Sequence, residues 1–262
     1  MPDESTILLA IDTCGPTGSV ALGRLSHQAR CSGQSVEILS QIELEGRNYS
    51  STLVAAIGEL LAQSGIALRD VSAIVAVSGP GSFTGVRVGL AAVKGLAEPL
   101  RIPVVAVSRL EVLAAKSGAP TAALDAHRHE VFLRLGLPGD QGSRVPQVPI
   151  LGPGKPYLTT GHSHRELLAG AHELVSIHQA HLAHPASLQV ALCDDAAAEL
   201  LRSAWPTAEL IRTTPPTAAD ALSLCAPRVA AGEFVDLALL DGHYLRRSDA
   251  EIFGEPAAAQ RP

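Results

Sequence analysis

Apolar residues run unbroken from 7 to 11 and stop at Asp12 and Thr13, after which a Gly/Pro loop (Gly15, Pro16, Gly18) leads into Ser19, Val20, Ala21 and Leu22. That pattern predicts a buried strand, a turn and a returning strand. Leu53, Val54, Ile57, Leu60 and Leu61 then recur at helical spacing, in a helix that Ser50 or Ser51 can cap and Gly65 can close. A buried strand is expected over 71–77, a Gly-rich loop over 78–85, a helix over 86–96 and a strand over 103–107. A hairpin followed by crossovers predicts a mixed, helix-covered sheet rather than a purely parallel one.

From Ser108 a second unit opens with a helix over 109–117, a strand over 121–124, a turn over 125–130 and a strand over 131–137. The strand, acidic turn and returning strand repeat the opening of the first half without a detectable sequence repeat. Residues 136–156 are dense in Gly and Pro and read as a surface excursion. Beyond them the pattern is weak until a helix over 217–232, with Ala221, Leu222, Leu224, Cys225 and Val229 on one face. The expected layout is a first lobe over 5–107, a second over 108–215, a helix and strand over 216–253 that pack back on the lobes, and a flexible tail over 254–262.

Composition narrows the function. Of 262 residues, 47% are hydrophobic and 18% charged, so the chain is globular, and with 3% aromatic residues Ala, Val and Leu must fill its core. The net charge of −6 argues against a chain that grips nucleic acid by itself. Cys14, Cys31, Cys193 and Cys225 are scattered, without a C-x-x-C pair, which fits a reducing compartment. The acidic start over 1–6 is unlike a signal peptide and no apolar run reaches the roughly 20 residues of a membrane span, so a cytoplasmic protein is expected, without membrane contact.

Asp12 at a strand tip can hold a magnesium-bound phosphate through water, with Thr13 and Ser19 on the phosphate oxygens and Asp125 facing them from the second hairpin. The same residues also serve as turn and cap residues, and spacing alone leaves both readings open. Gly79-Pro80-Gly81-Ser82-Phe83-Thr84-Gly85-Val86-Arg87 offers backbone N–H groups at a helix start. It fits neither G-x-G-x-x-G nor a P-loop, because its third Gly comes one residue late and Val86-Arg87 stand where Lys-Ser/Thr is required, so a tight turn with close backbone packing is favoured. Gly85, Gly89 and Ala92 would let another element approach the following helix closely. His178, His181 and His184 recur every three residues, but with no acidic or thiol ligand between them a solvated stretch is expected, and no metal site.

Together, Ala10-Ile11-Asp12-Thr13, Ser19-Val20-Ala21-Leu22, the loop over 79–87, Asp125-Ala126-His127-Arg128-His129-Glu130-Val131 and the closing Tyr244-Leu245-Arg246 resemble the TsaB (YeaZ) family. The resemblance is firm over 6–135. It implies an α/β actin/hexokinase-like (ASKHA) fold of two lobes, each with a mixed sheet covered by helices. It implies a non-catalytic subunit of the bacterial machinery that makes threonylcarbamoyladenosine (t6A) in tRNA, paired with a catalytic TsaD-type subunit. A TsaE-type ATPase would join through the complex, tRNA would be met only indirectly, and the chain alone could form a homodimer. TsaD-like chains carry a His-x3-His metal pair after the strand corresponding to 103–107. Here Arg109 and Leu113 stand in its place, and neither can ligate a metal, so no cofactor is implied. The partner surface implied is the helix face with Leu53, Ile57 and Leu60 and the helix face with Gly85, Arg87, Gly89, Ala92 and Val93. His127 and His129 replace the Arg and Gly of the family's second hairpin, and His disfavours positive φ. The rival reading is a stand-alone actin-like ATPase or kinase using Asp12 and Asp125.

Overall fold

A computed structural model describes residues 6–26, 35–46, 48–136, 165–181 and 188–246. Its first lobe is a sheet of β1 (Thr6–Asp12), β2 (Thr17–Ser26), β3 (Ser35–Glu45), β4 (Val71–Val77) and β5 (Val104–Val107), in the order β3-β2-β1-β4-β5. β1 pairs antiparallel with β2, and β2 with β3, while β4 and β5 add parallel on the other side. α1 (Tyr49–Gln63) and α2 (Phe83–Leu100) are the crossovers.

The second lobe repeats this connectivity. β6 (Thr121–Asp125), β7 (Glu130–Leu135), β8 (Arg165–Gly170), β9 (Gln189–Leu192) and β10 (Glu209–Arg212) lie in the order β10-β9-β6-β7-β8. The β6/β7 and β7/β8 pairs are antiparallel, and β6/β9 and β9/β10 are parallel. α4 (Ala171–His181) and α5 (Asp195–Ala204) connect its parallel strands. Side chains on β6 alternate between two cores. Ala123 joins Leu174, Leu201 and Trp205 under α4 and α5, whereas Ala122 and Leu124 join Leu110 and Leu113 of α3 (Arg109–Ser117).

The last helix of each repeat crosses over. α3 follows the first sheet but packs on β6, β7 and β9; α6 (Ala218–Ala230) follows the second sheet but packs on β1 through β5. Leu222, Cys225 and Val229 of α6 therefore lie in the first lobe's core, where burial pushes the Cys225 thiol up to about 12. Lys116 on α3 meets Asp220 on α6 at 2.8 Å.

Several expectations shift. β3 lies in a stretch assigned no element, because an edge strand of alternating polar residues (SVEILSQIELE) carries little apolar signal. α2 starts three residues earlier and ends four later than its apolar stripe. Asn48 rather than Ser50 or Ser51 is the N-cap of α1, and both hydroxyls of Ser51 and Thr52 donate to its carbonyl. After α6 no strand appears among the described residues. The excursion after 136, His184 and the tail beyond 253 lie outside the described residues, and none of the described helices is long and apolar enough to cross a membrane.

Candidate functional site

The swapped helix decides the chemistry of the first hairpin. Asp12 is 1% exposed; its Oδ2 accepts from Nε of Arg109 at 3.2 Å and its Oδ1 accepts the Cys14 backbone N–H at 2.8 Å. Arg109 opens α3 and is 5% exposed. Burial works hardest against its charge, but the Asp12 carboxylate, Cys14, Cys193 and the hydrogen bond to Asp12 together hold its pKa above the ordinary guanidinium value. The guanidinium lies over Gly15, where any Cβ would overlap it. Burial first, then the Asp12 carboxylate, push the Cys14 thiol well up and raise the Tyr49 phenol, whose hydroxyl donates to the Gly15 carbonyl at 2.8 Å.

The other phosphate candidates are also engaged. Thr13 Oγ1 donates to the Gly85 carbonyl at 2.7 Å, and Ser19 Oγ accepts the Ala218 N–H at the first turn of α6 at 2.8 Å. Asp125 accepts the His127 N–H at 2.7 Å and faces His127 Nδ1 at 2.9 Å. Asp12, Thr13, Ser19 and Asp125 thus each have a protein partner, and the positive charge beside Asp12 is the Arg109 guanidinium.

The Gly-rich loop is the tight, closely packed turn that its spacing favoured. Ser82 N–H donates to the Cys14 carbonyl at 2.8 Å, Arg109 N–H donates to the Gly79 carbonyl at 2.6 Å, and Ser82 Oγ caps α2 by accepting the Gly85 N–H at 3.3 Å. A Cβ at Gly81 would overlap the Cys14 carbonyl, and Cβ atoms at Gly85 and Gly89 would overlap Thr13. The small residues of α2 therefore admit the protein's own hairpin. Pro80 is buried within this loop, Phe83 and Thr84 are exposed, and the Arg87 guanidinium lies 3.6 Å over the Phe83 ring.

Leu53, Ile57, Leu60 and Val93 are buried in the first lobe's core, so the apolar stripes assigned to a partner are consumed within the protomer. Ala92 is half-buried, and Arg87 faces solvent. The outward faces carry Val54, Ala55 and Gly58 on α1 and Ala91 and Gly95 on α2, with nothing within 4 Å of a Cβ built at Gly58 or Gly95.

The second hairpin turns tightly despite lacking Gly. His127, Arg128 and His129 have φ of 59°, 57° and 61°, and the turn closes with Ala126 N–H on the Glu130 carbonyl at 3.0 Å. His178 is half-buried on a helix whose described residues are mostly exposed: its ring stands edge-on to Trp205 at 6.4 Å and both ring nitrogens are buried. Among the described residues no group of three or more His, Cys, Asp or Glu is placed to hold a metal.

Sequence reading missed Glu166. On β8 and 1% exposed, it accepts from Arg134 Nη1 at 2.7 Å on Oε1, and on Oε2 meets Ser108 Oγ at 2.7 Å and His243 Nε2 at 2.8 Å. Burial alone would raise its pKa, but the hydrogen bond and charge of His243, then Arg134 and Ser108, hold it below the usual carboxylate value. Its only signal was a charge inside a short apolar run, RELLAG.

The family model of tRNA N6-adenosine threonylcarbamoyltransferase (TsaD) matches residues 36–135. The tRNA threonylcarbamoyladenosine biosynthesis protein TsaB of Bacillus subtilis is 38% identical over 132 residues, which cover 49% of this chain and 54% of that protein. TsaB of Haemophilus influenzae is 36% identical over 135 residues, covering 49% and 53%. The matched stretch thus spans about half the length of these relatives. In structure the chain is similar to YeaZ from Pseudomonas aeruginosa, with a TM-score of 0.63 and 28% identity, over 92% of this chain and all of that one. The duplicated lobes with exchanged helices are an α/β fold of the actin-like (ASKHA) class. By sequence over its first half and by fold over both lobes, the chain is similar to the TsaB (YeaZ) proteins.

Proposed function

We propose that this chain is a non-catalytic subunit of the cytoplasmic machinery that makes t6A in tRNA, and that it acts by pairing with a TsaD-type catalytic subunit. The observation that carries this reading is the Arg109–Asp12 pair at 3.2 Å. An actin-like site needs its first-hairpin carboxylate for a metal-bound phosphate, and here a buried guanidinium neutralises it. With Thr13 and Ser19 also engaged, the hairpin is a structural brace rather than an ATP site.

Pairing uses the outward faces of α1 and α2, where Val54 is 65% exposed and Gly58 and Gly95 leave room for a close helix approach. A TsaE-type ATPase joins through the complex. The net charge of −6 fits a subunit that meets tRNA only through its partner.

The test is co-purification with the cognate TsaD-type protein, with and without ATP, followed by reconstituted tRNA modification. Association should survive Asp12→Asn and fall at least tenfold in Gly95→Trp or Val54→Arg, both of which should stay folded. ATP hydrolysis by the chain alone, abolished by Asp12→Asn in a folded protein, would instead establish a stand-alone ATPase.

A further inference from the structure

Beyond α6 the chain returns to the junction of the lobes. Val235 N–H donates to the Val104 carbonyl of β5 at 2.9 Å, and His243 N–H donates to the Ser78 carbonyl at the end of β4 at 2.7 Å. The Tyr244 ring rests 5.0 Å from that of Phe83 at the start of α2. These three contacts are with the first lobe. The same few residues also hold the second: His243 Nε2 meets Glu166 of β8 at 2.8 Å, and Arg246 donates to the His127 carbonyl at 3.3 Å and pairs with Glu130 of β7.

His243 thus grips one lobe by its backbone and the other by its ring. Glu166 gives that grip its strength, because a buried carboxylate needs its partners: among the described residues Oε1 has Arg134, and Oε2 has the Ser108 hydroxyl and the His243 ring. A peptide that merely covered the junction would have no need of a buried charge.

We propose that residues 235–246 are a clasp that fixes the angle between the two lobes, with the His243–Glu166 contact as its closure. Two-lobed folds change shape by hinge motion, and a ligand in the cleft ordinarily supplies the free energy that holds them closed. Here the chain's own C-terminal segment performs that task, and the Arg109–Asp12 and Lys116–Asp220 pairs hold the swapped helices at the same junction. Releasing the clasp frees the lobes to move without unfolding either one.

Hydrogen exchange read by mass spectrometry on the full chain, without a partner, tests this independently of the proposed function. His243→Ala should raise exchange about tenfold on both sides of the junction, in peptides over 77–82 and 104–107 and in peptides over 127–135 and 165–170, with β1 and β2 unchanged. His243→Gln, whose amide can still donate to Glu166, should restore most of the protection. Tyr244→Ala, which leaves Glu166 and its partners untouched, should give the same two-sided pattern and serves if His243→Ala does not fold. Exchange that rises only within 235–246, only in the second lobe or nowhere overturns the proposal, as does a Gln variant no better protected than the Ala variant.

Discussion

Arg109 and Asp12 lie 97 residues apart in the chain and 3.2 Å apart in the fold, each less than a tenth exposed. A pair so buried contributes little net stability over an apolar pair of the same shape, yet removing one partner strands the other. Arg109→Met should therefore cost about 3–5 kcal/mol, and Asp12→Asn a comparable amount. The Asp12→Asn/Arg109→Met double variant should cost well under the sum. Urea unfolding of the four proteins measures the coupling, and additive losses would mean that the pair is not formed.

Gly89 and Gly95 stand on one helix and should respond to alanine with opposite signs. Helix propensity favours each substitution by about 1 kcal/mol. At Gly95 nothing lies within 4 Å of the new methyl, so that gain should appear as a higher melting temperature. At Gly89 the methyl overlaps the Thr13 hydroxyl and threatens its bond to the Gly85 carbonyl, an overpacking cost of about 1–3 kcal/mol that should lower the melting temperature.

Glu166 should steepen the loss of stability in acid. Its folded pKa lies below the unfolded value, so its stabilisation is fully present above the unfolded carboxyl pKa and disappears as pH falls through the folded one. Urea midpoints measured from pH 7 down to pH 3 should fall less steeply in Glu166→Gln than in the parent, although the variant is less stable at pH 7. An unchanged slope would place no depressed pKa at this residue.

The turn at 127–129 should tolerate glycine better than its own residues. Three consecutive left-handed side chains each carry strain of about 1–2 kcal/mol, and glycine relieves it at an entropic cost of about 0.5–1 kcal/mol. His129→Gly should therefore stabilise the protein by up to about 1 kcal/mol in chemical denaturation. His129→Val, β-branched at positive φ, should destabilise it.

Where a segment is buried on its own account, its pattern was enough. The seven apolar and small residues of β4 and the nine of α3, from the Ser108 cap to the left-handed Gly118, lie where the sequence put them, because burial fixes a strand's composition and capping fixes a helix's ends. The second lobe was less legible. β9 and β10 have four residues each, and the buried face of α5 is Ala197, Ala198, Leu201 and Ala204, so too few large side chains mark the period.

By itself the sequence determined the first hairpin, the Gly-rich turn, the mixed character of the first sheet and the absence of a metal-ligating pair at 109 and 113. Only the tertiary structure decided what faces what. The exchange of α3 and α6 between lobes brings Arg109 onto Asp12 and the start of α6 onto Ser19, and packing within the first lobe sets Gly85 and Gly89 against the protein's own Thr13. Periodicity reports which face of an element is buried, but not against what. Pairings across 97 and 199 residues are fixed by the packing of two complete sheets, which no local pattern encodes.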